Sequence, residues 1–164
     1  MIIPALSVDN PDVLACLLDA GLDIDYRIPG YIGTPLTGAS AFAKVELIKS
    51  LLARGADRNL ENCGWGQFHL KPLAAAAAQG MVRDEDAAEA MKVLLDGGGR
   101  WEGSAALQLA AKAGKVECVK LLVGRGADVD EIVTRVEGKS ALRLAKESGC
   151  EEVVRILNAQ GAKE

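Results

Sequence analysis

The sequence predicts an all-α fold, a repeat solenoid of paired helices, and three observations predict it. Five amphipathic segments end alike: Leu17-Leu18-Asp19-Ala20-Gly21, Leu51-Leu52-Ala53-Arg54-Gly55, Leu94-Leu95-Asp96-Gly97-Gly98, Leu121-Leu122-Val123-Gly124-Arg125-Gly126 and Ile156-Leu157-Asn158-Ala159-Gln160-Gly161. The closing glycines lie 34, 43, 28 and 35 residues apart. A shorter apolar stretch precedes each of the last four, with Leu followed three residues on by Ala: Leu36/Ala39, Leu73/Ala76, Leu107/Ala110 and Leu142/Ala145. Small residues at that spacing let paired helices approach closely.

Each element has its own signals. Asn10-Pro11-Asp12-Val13 opens the helix that closes on Gly21. A glycine directly after an amphipathic helix supplies the left-handed residue that ends it, so its recurrence follows from folding alone. Thr34-Pro35 offers an N-cap followed by proline at the first helical position, and Pro72, Ser104 and Ser140 serve related ends. Asp84-Glu85-Asp86 reads as a solvated acidic cluster favouring, through the helix dipole, a helix from Ala87 to Leu95.

Thr34-Pro35-Leu36-Thr37, Gly55-Ala56-Asp57-Arg58-Asn59, Gly114-Lys115-Val116-Glu117-Cys118-Val119-Lys120-Leu121-Leu122 and Gly126-Ala127-Asp128-Val129-Asp130 resemble the 33-residue ankyrin repeat. The resemblance covers nearly the whole chain. It implies one domain over 1–164, a stack of antiparallel helix pairs joined by hairpin-like fingers, in approximate units 1–27, 28–60, 61–101, 102–130 and 131–164. Polar Lys146, Glu151, Glu152, Arg155, Asn158 and Lys163 make the last unit a C-terminal cap.

Irregularities in the period point to function. The long interval holds two insertions, about four residues in the finger Glu61 to Leu70 and about six in Met81 to Asp86, relative to the family pattern. Arg100-Trp101-Glu102-Gly103 is all that remains of the next finger. All six aromatic residues, Tyr26, Tyr31, Phe42, Trp65, Phe68 and Trp101, fall in this first part of the chain. Aromatics gathered on a concave surface are common anchors of binding sites. The expected function is non-catalytic binding of another protein across units one to three, through Tyr26, Arg27, Tyr31, Phe42, Trp65, Phe68, His69, Gln79, Arg100 and Trp101, with Lys112 and Glu147 extending the groove. The bland counterpart is that Trp65 or Phe68 plugs the gap beside the clipped finger.

The second reading is a small-molecule or catalytic pocket under the 61–71 finger, with His69 and Glu61 as acid/base groups. His69 is the sole histidine, and a structural finger histidine competes with that role. The serines stand at no recognisable spacing from it, so no nucleophilic triad is argued. The run Gly97 to Ser104 lacks the lysine of a phosphate-binding loop and follows a helix rather than a strand. No cofactor and no metal are called for. A net charge of -4 without a basic patch argues against nucleic acid. No apolar run approaches membrane-spanning length, and Met1-Ile2-Ile3-Pro4 lacks the basic start of a secretory signal, from which an intracellular, cytoplasmic setting with no membrane contact is expected. Cys16, Cys63, Cys118 and Cys150 show no paired spacing, and Cys16 and Cys118 fall at apolar helical positions, which reads as reduced structural thiols.

Overall fold

The computed structural model describes residues 11–27, 33–63, 69–134 and 136–163, without the side chains of Asn62, Cys63 and His69. Among these residues the chain forms α1 (Pro11–Asp19), α2 (Pro35–Ala41), α3 (Val45–Ala53), α4 (Pro72–Ala78), α5 (Asp84–Asp96), α6 (Ala106–Lys112), α7 (Val116–Gly124), α8 (Ala141–Glu147) and α9 (Glu151–Ala159). Short β1 (Asn62–Cys63) and β2 (His69–Leu70) pair antiparallel, Asn62 opposite Leu70 and Cys63 opposite His69, at the base of the long finger. The first helices α2, α4, α6 and α8 stack in one layer. The second helices α3, α5, α7 and α9 stack in the other, with α1 against α3. The fold is therefore the all-α helical solenoid.

The two layers share one apolar seam. Each Leu/Ala pair of the first helices is buried, as are Leu47, Ile48, Leu51, Met91, Leu94, Val119, Leu122, Val153 and Leu157 of the second. Each unit thus buries its apolar face against its neighbours, the arrangement in which no repeat is stable alone.

Helix ends follow the expected chemistry. Gly21, Gly55, Gly98, Gly126 and Gly161 have φ of 91°, 92°, 92°, 88° and 81°, the left-handed conformation that glycine adopts without steric cost. At Gly98 the run of glycines completes a helix stop: Gly98 N–H donates to Leu95 O and Gly99 N–H to Leu94 O, at 2.9 and 2.8 Å. A Cβ on Gly99 would meet Leu94 O at 2.8 Å, so this residue must stay small. Thr34 and Ser140 cap α2 and α8, their hydroxyls accepting from Thr37 N and Arg143 N. Ser104 is displaced by one position. Its hydroxyl accepts from Ala106 N, but the capping residue of α6 is Ala105, whose backbone is left-handed at φ 62°.

The expectation that α5 starts at Ala87 is corrected. It starts at Asp84, and the 81–86 insertion is partly helical. Three residues turn α2 into α3, α6 into α7 and α8 into α9, whereas five, 79–83, separate α4 from α5. The rest of the insertion is an added turn that makes α5 13 residues long, where α3, α7 and α9 have 9. Cys16 is a second correction. It is exposed, because it lies two residues from buried Leu14 and so on the far side of α1. In the last unit Lys146, Glu151, Glu152, Arg155, Asn158 and Lys163 are all exposed.

Candidate functional site

The first-helix layer changes character along the solenoid. All seven residues of α2 (Pro-Leu-Thr-Gly-Ala-Ser-Ala) are buried, and six of the seven in α4 (Pro-Leu-Ala-Ala-Ala-Ala-Ala). Side chains this small bring the helices close, and Ser40 turns its hydroxyl inward to Leu36 O at 2.7 Å. Around this sealed pair stand exposed apolar groups. Tyr26 is 42% exposed, Phe42 at the C-cap of α2 is 41% exposed, and Met81 in the five-residue turn is 98% exposed.

The other expected binding residues divide. Arg27 is exposed and reaches the next finger, Nη2 donating to Glu61 O at 3.2 Å. Arg100 is exposed, with its backbone N–H held by Asn59 Oδ1 at 2.9 Å. Gln79 is half-buried at the end of α4. Trp101 is half-buried and packs on the core, while its carbonyl accepts from Ser104. Tyr31, Trp65 and Phe68 lie outside the described residues, as does the His69 side chain and with it the expected His69–Glu61 pair, while Glu61 itself is half-buried. Asp86 is committed to Arg83 at 2.8 Å.

Asp84 does more than sit at the start of its own helix. Its carboxylate accepts from Glu117 N at 2.7 Å and Cys118 N at 3.2 Å, capping α7 of the following unit. Beside it Lys115 is 4% exposed, its Nζ 3.4 Å from Ala76 O near the end of α4, and burial lowers its pKa. Burial also pushes the Cys118 thiol well above the usual range, so it is an inert core group. The inserted turn of α5 is thus a brace between units.

A second set of braces runs along the fingers and escaped the sequence reading. Asp25 accepts from Asp57 N, Asn59 from Arg100 N, and Asp130 from Lys163 N, at 3.1, 2.9 and 2.7 Å. Each acceptor stands four residues past a closing glycine, and each donor two residues past the next one. The signal was present as a recurrence of Asp or Asn at that offset. At the remaining junction the offset falls on Glu102 and Asp128, and among the described residues no bond joins them. Instead Glu102 O accepts from Lys71 Nζ, and Gly103 N–H donates to Glu131 Oε1.

In units four and five the first helices are charged, and residues 131–134 and 136–139 lie across them as a strap. Gln108 Nε2 of α6 donates to Glu131 O at 2.6 Å. Val133 and Val136 are buried with Ala105 and Leu144, against Leu109. Glu137 binds Lys112 of α6 at 2.6 Å and Lys139 at 2.8 Å, and Lys139 binds Glu147 of α8 at 2.7 Å. The two ammonium groups hold the Glu137 carboxyl down at about 2. Lys112 and Glu147, expected to extend a groove, here fasten the strap.

Among the described residues no three of His, Cys, Asp and Glu converge to hold a metal ion, and no helix is long and apolar enough to cross a membrane. Cys16, Cys118 and Cys150 are free thiols.

Comparison with known proteins fits this architecture. A family model described as ankyrin repeats (3 copies) matches residues 36–132 and 81–163. Two curated proteins named ankyrin repeat and SOCS box protein 11, from Pongo abelii and Homo sapiens, are each 34% identical over 123 residues, 72% of this chain and 34% of theirs. The chain spans about a third of the length of these curated relatives.

Proposed function

On the premise that this chain belongs to the ankyrin-repeat family, whose repeats are in general protein-interaction modules, we propose that it is a non-catalytic protein-binding module that receives its partner on the fingers and first-helix face of units one to three. One observation carries the reading. Three large apolar side chains, Tyr26, Phe42 and Met81, stand in solvent around helices that are otherwise sealed. Apolar groups that fold into no core gain most from burial in an interface, and aromatic and methionine side chains supply it at low entropic cost. Arg27 and Arg100 give the rim polar contacts, and Tyr31, Trp65, Phe68, His69, Gln79 and Trp101 complete the surface.

The partner is a protein rather than a nucleic acid, because the net charge of -4 offers no field for phosphates. An exposed free thiol at Cys16 suits a reducing, intracellular setting. The test is a partner captured by cross-linking and then titrated against Tyr26→Ser, Phe42→Ser and Met81→Ser chains. At least one substitution should weaken binding tenfold or more with the melting temperature unchanged. Undiminished affinity in all three variants refutes the surface, and parallel losses of stability reassign the residues to packing.

A further inference from the structure

Past the buried Val136 the chain reverses on two left-handed residues, Glu137 at φ 54° and Gly138 at φ 58°, closed by Lys139 N–H donating to Val136 O at 3.4 Å. Positive φ at both central residues is the pattern of a type I′ turn, which Glu137 adopts at a steric cost. Next to this turn is a cavity of about 320 Å³. It is lined by Asp130 and Ile132 before the turn, by Gly138 to Ser140 in and after it, by Arg143 of α8 and by Lys163. That volume lies at the small end of the range for ligand sites.

The lining mixes apolar and cationic groups. Ile132 is 59% exposed although Val133 and Val136 of the same segment are buried, so an apolar side chain stands at the cavity with no core to enter. Of the three cations, Lys139 is taken up by Glu137 and Glu147, at 2.8 and 2.7 Å. Arg143 gives only its Nε to Glu147, at 3.2 Å, and its terminal nitrogens have no partner among the described residues. Lys163 is fixed at its backbone, N–H to Asp130 Oδ1 at 2.7 Å, while its ammonium meets no carboxylate among the described residues. Ser140 is 8% exposed, and its hydroxyl accepts from Arg143 N. The hydrogen of that hydroxyl has no acceptor among the described residues, so a nearly buried donor is left for a group from outside the chain.

We propose that this cavity is a small-molecule site for an organic monocarboxylate with a short apolar body. The terminal nitrogens of Arg143 match the planar pair of carboxylate oxygens, the Lys163 ammonium and the Ser140 hydroxyl add donors, and the apolar body lies on Ile132. A single negative charge suits the site better than a phosphate dianion, because Asp130 lines the same cavity and Glu147 already shares Arg143. This site is independent of the surface in units one to three, so either stands if the other fails.

The probe is isovalerate, titrated into the nitrogen-15-labelled full chain at constant ionic strength and followed by amide chemical shifts. Uncharged isovaleramide, sodium chloride and inorganic phosphate are the comparisons. Isovalerate should produce saturable shifts at Ser140, Arg143 and Lys163, with an affinity roughly fivefold or more above that for phosphate, while isovaleramide and chloride produce none. An Arg143→Gln/Lys163→Gln chain should bind it roughly tenfold more weakly and Ile132→Ser roughly threefold, with Lys92→Gln, an exposed cation on α5, unchanged. Absence of saturation by about 50 mM overturns the proposal, as does an equal response to isovaleramide or chloride, a preference for phosphate, or full affinity in either variant. If a variant does not keep its helical circular dichroism, the comparison of isovalerate with isovaleramide and phosphate on the wild-type chain decides alone.

Discussion

Units two and three and units four and five build the same helical layer by opposite means. In the first pair the inner helices are, beyond one Pro and one Leu each, made of Gly, Ala, Ser and Thr and are buried but for Ala78, and exposed large apolar groups stand around them, in Phe42 and Met81 and in Tyr26 of unit one. In the second pair α6 and α8 carry Lys112, Arg143, Lys146 and Glu147 outward, and two leucines at the equivalent inward-facing position are roofed by a strap of the same chain. The difference teaches that a repeat conserves the seam between its layers, since units two to five each bury the Leu/Ala pair, and leaves the face beyond the seam free to be closed or charged.

The sharpest way to break the comparison is to exchange the two faces. Leu144→Ala should cost roughly 2–5 kcal/mol, because it empties the seat on which Val133 and Val136 close, and urea denaturation will show it as a lower midpoint. Ala75→Leu brings the leucine of the second half into the first. With α4 sealed it should lose about 1–3 kcal/mol through overpacking. If Ala75→Leu is neutral, the first half has a cavity and the contrast collapses.

How much of this was legible in the sequence depends on how far each residue's partner lies. The closing glycines, the Leu/Ala pairs and the Thr34 and Ser140 caps are local signals whose physics is finished within a turn of helix, and all appear where expected. Ser104 misled by one position because a cap depends on where the preceding finger delivers the chain. The finger braces, Asp25 to Asp57 and Asn59 to Arg100, reach across a whole unit, and each side chain alone looks like ordinary surface polarity. Asp84 was read correctly as an acid at a helix start, but its partner is the start of another helix. The strap was the least legible. Two valines in a polar finger announce burial without naming what they cover.

Asp84 gives the third prediction. Asp84→Ala leaves two amides of α7 without their acceptor and should cost about 1–2 kcal/mol, the range for a lost helix cap. Asp86→Ala removes only an exposed pair with Arg83 and should change stability by less than about 0.5 kcal/mol. Equal losses would mean that the acidic cluster acts as a diffuse field rather than as one cap.

Lys115 makes the same junction sensitive to pH. Its pKa in the folded chain is below the ordinary 10.5 because burial disfavours the charged amine. Between the two values the unfolded chain holds more protons than the folded one, so unfolding takes up protons and stability rises with pH across that window. Urea midpoints followed from neutral pH toward pH 10.5 should climb for the wild type relative to Lys115→Met. A parallel pair of curves would place the amine in solvent.

The smallest expected effect falls on the seam where the two halves meet. Three of the junctions between consecutive fingers are tied by an Asp or Asn that accepts a backbone amide, and the fourth places Glu102 at the same offset, unbonded to Asp128. The extra methylene of Glu102 carries its carboxylate past a position that Asp25, Asn59 and Asp130 reach with a shorter side chain. Glu102→Asp should therefore complete the ladder, stabilising the chain by up to about 1 kcal/mol, the net worth of one exposed charge-assisted hydrogen bond. Thermal melts give the gain, and slower exchange of the Asp128 amide locates it. A gain without that protection would come from the unfolded chain. Protection without a gain would mean that the bond forms only by releasing Lys71 from Glu102 O, so that the clipped finger already holds its two halves together in its own way.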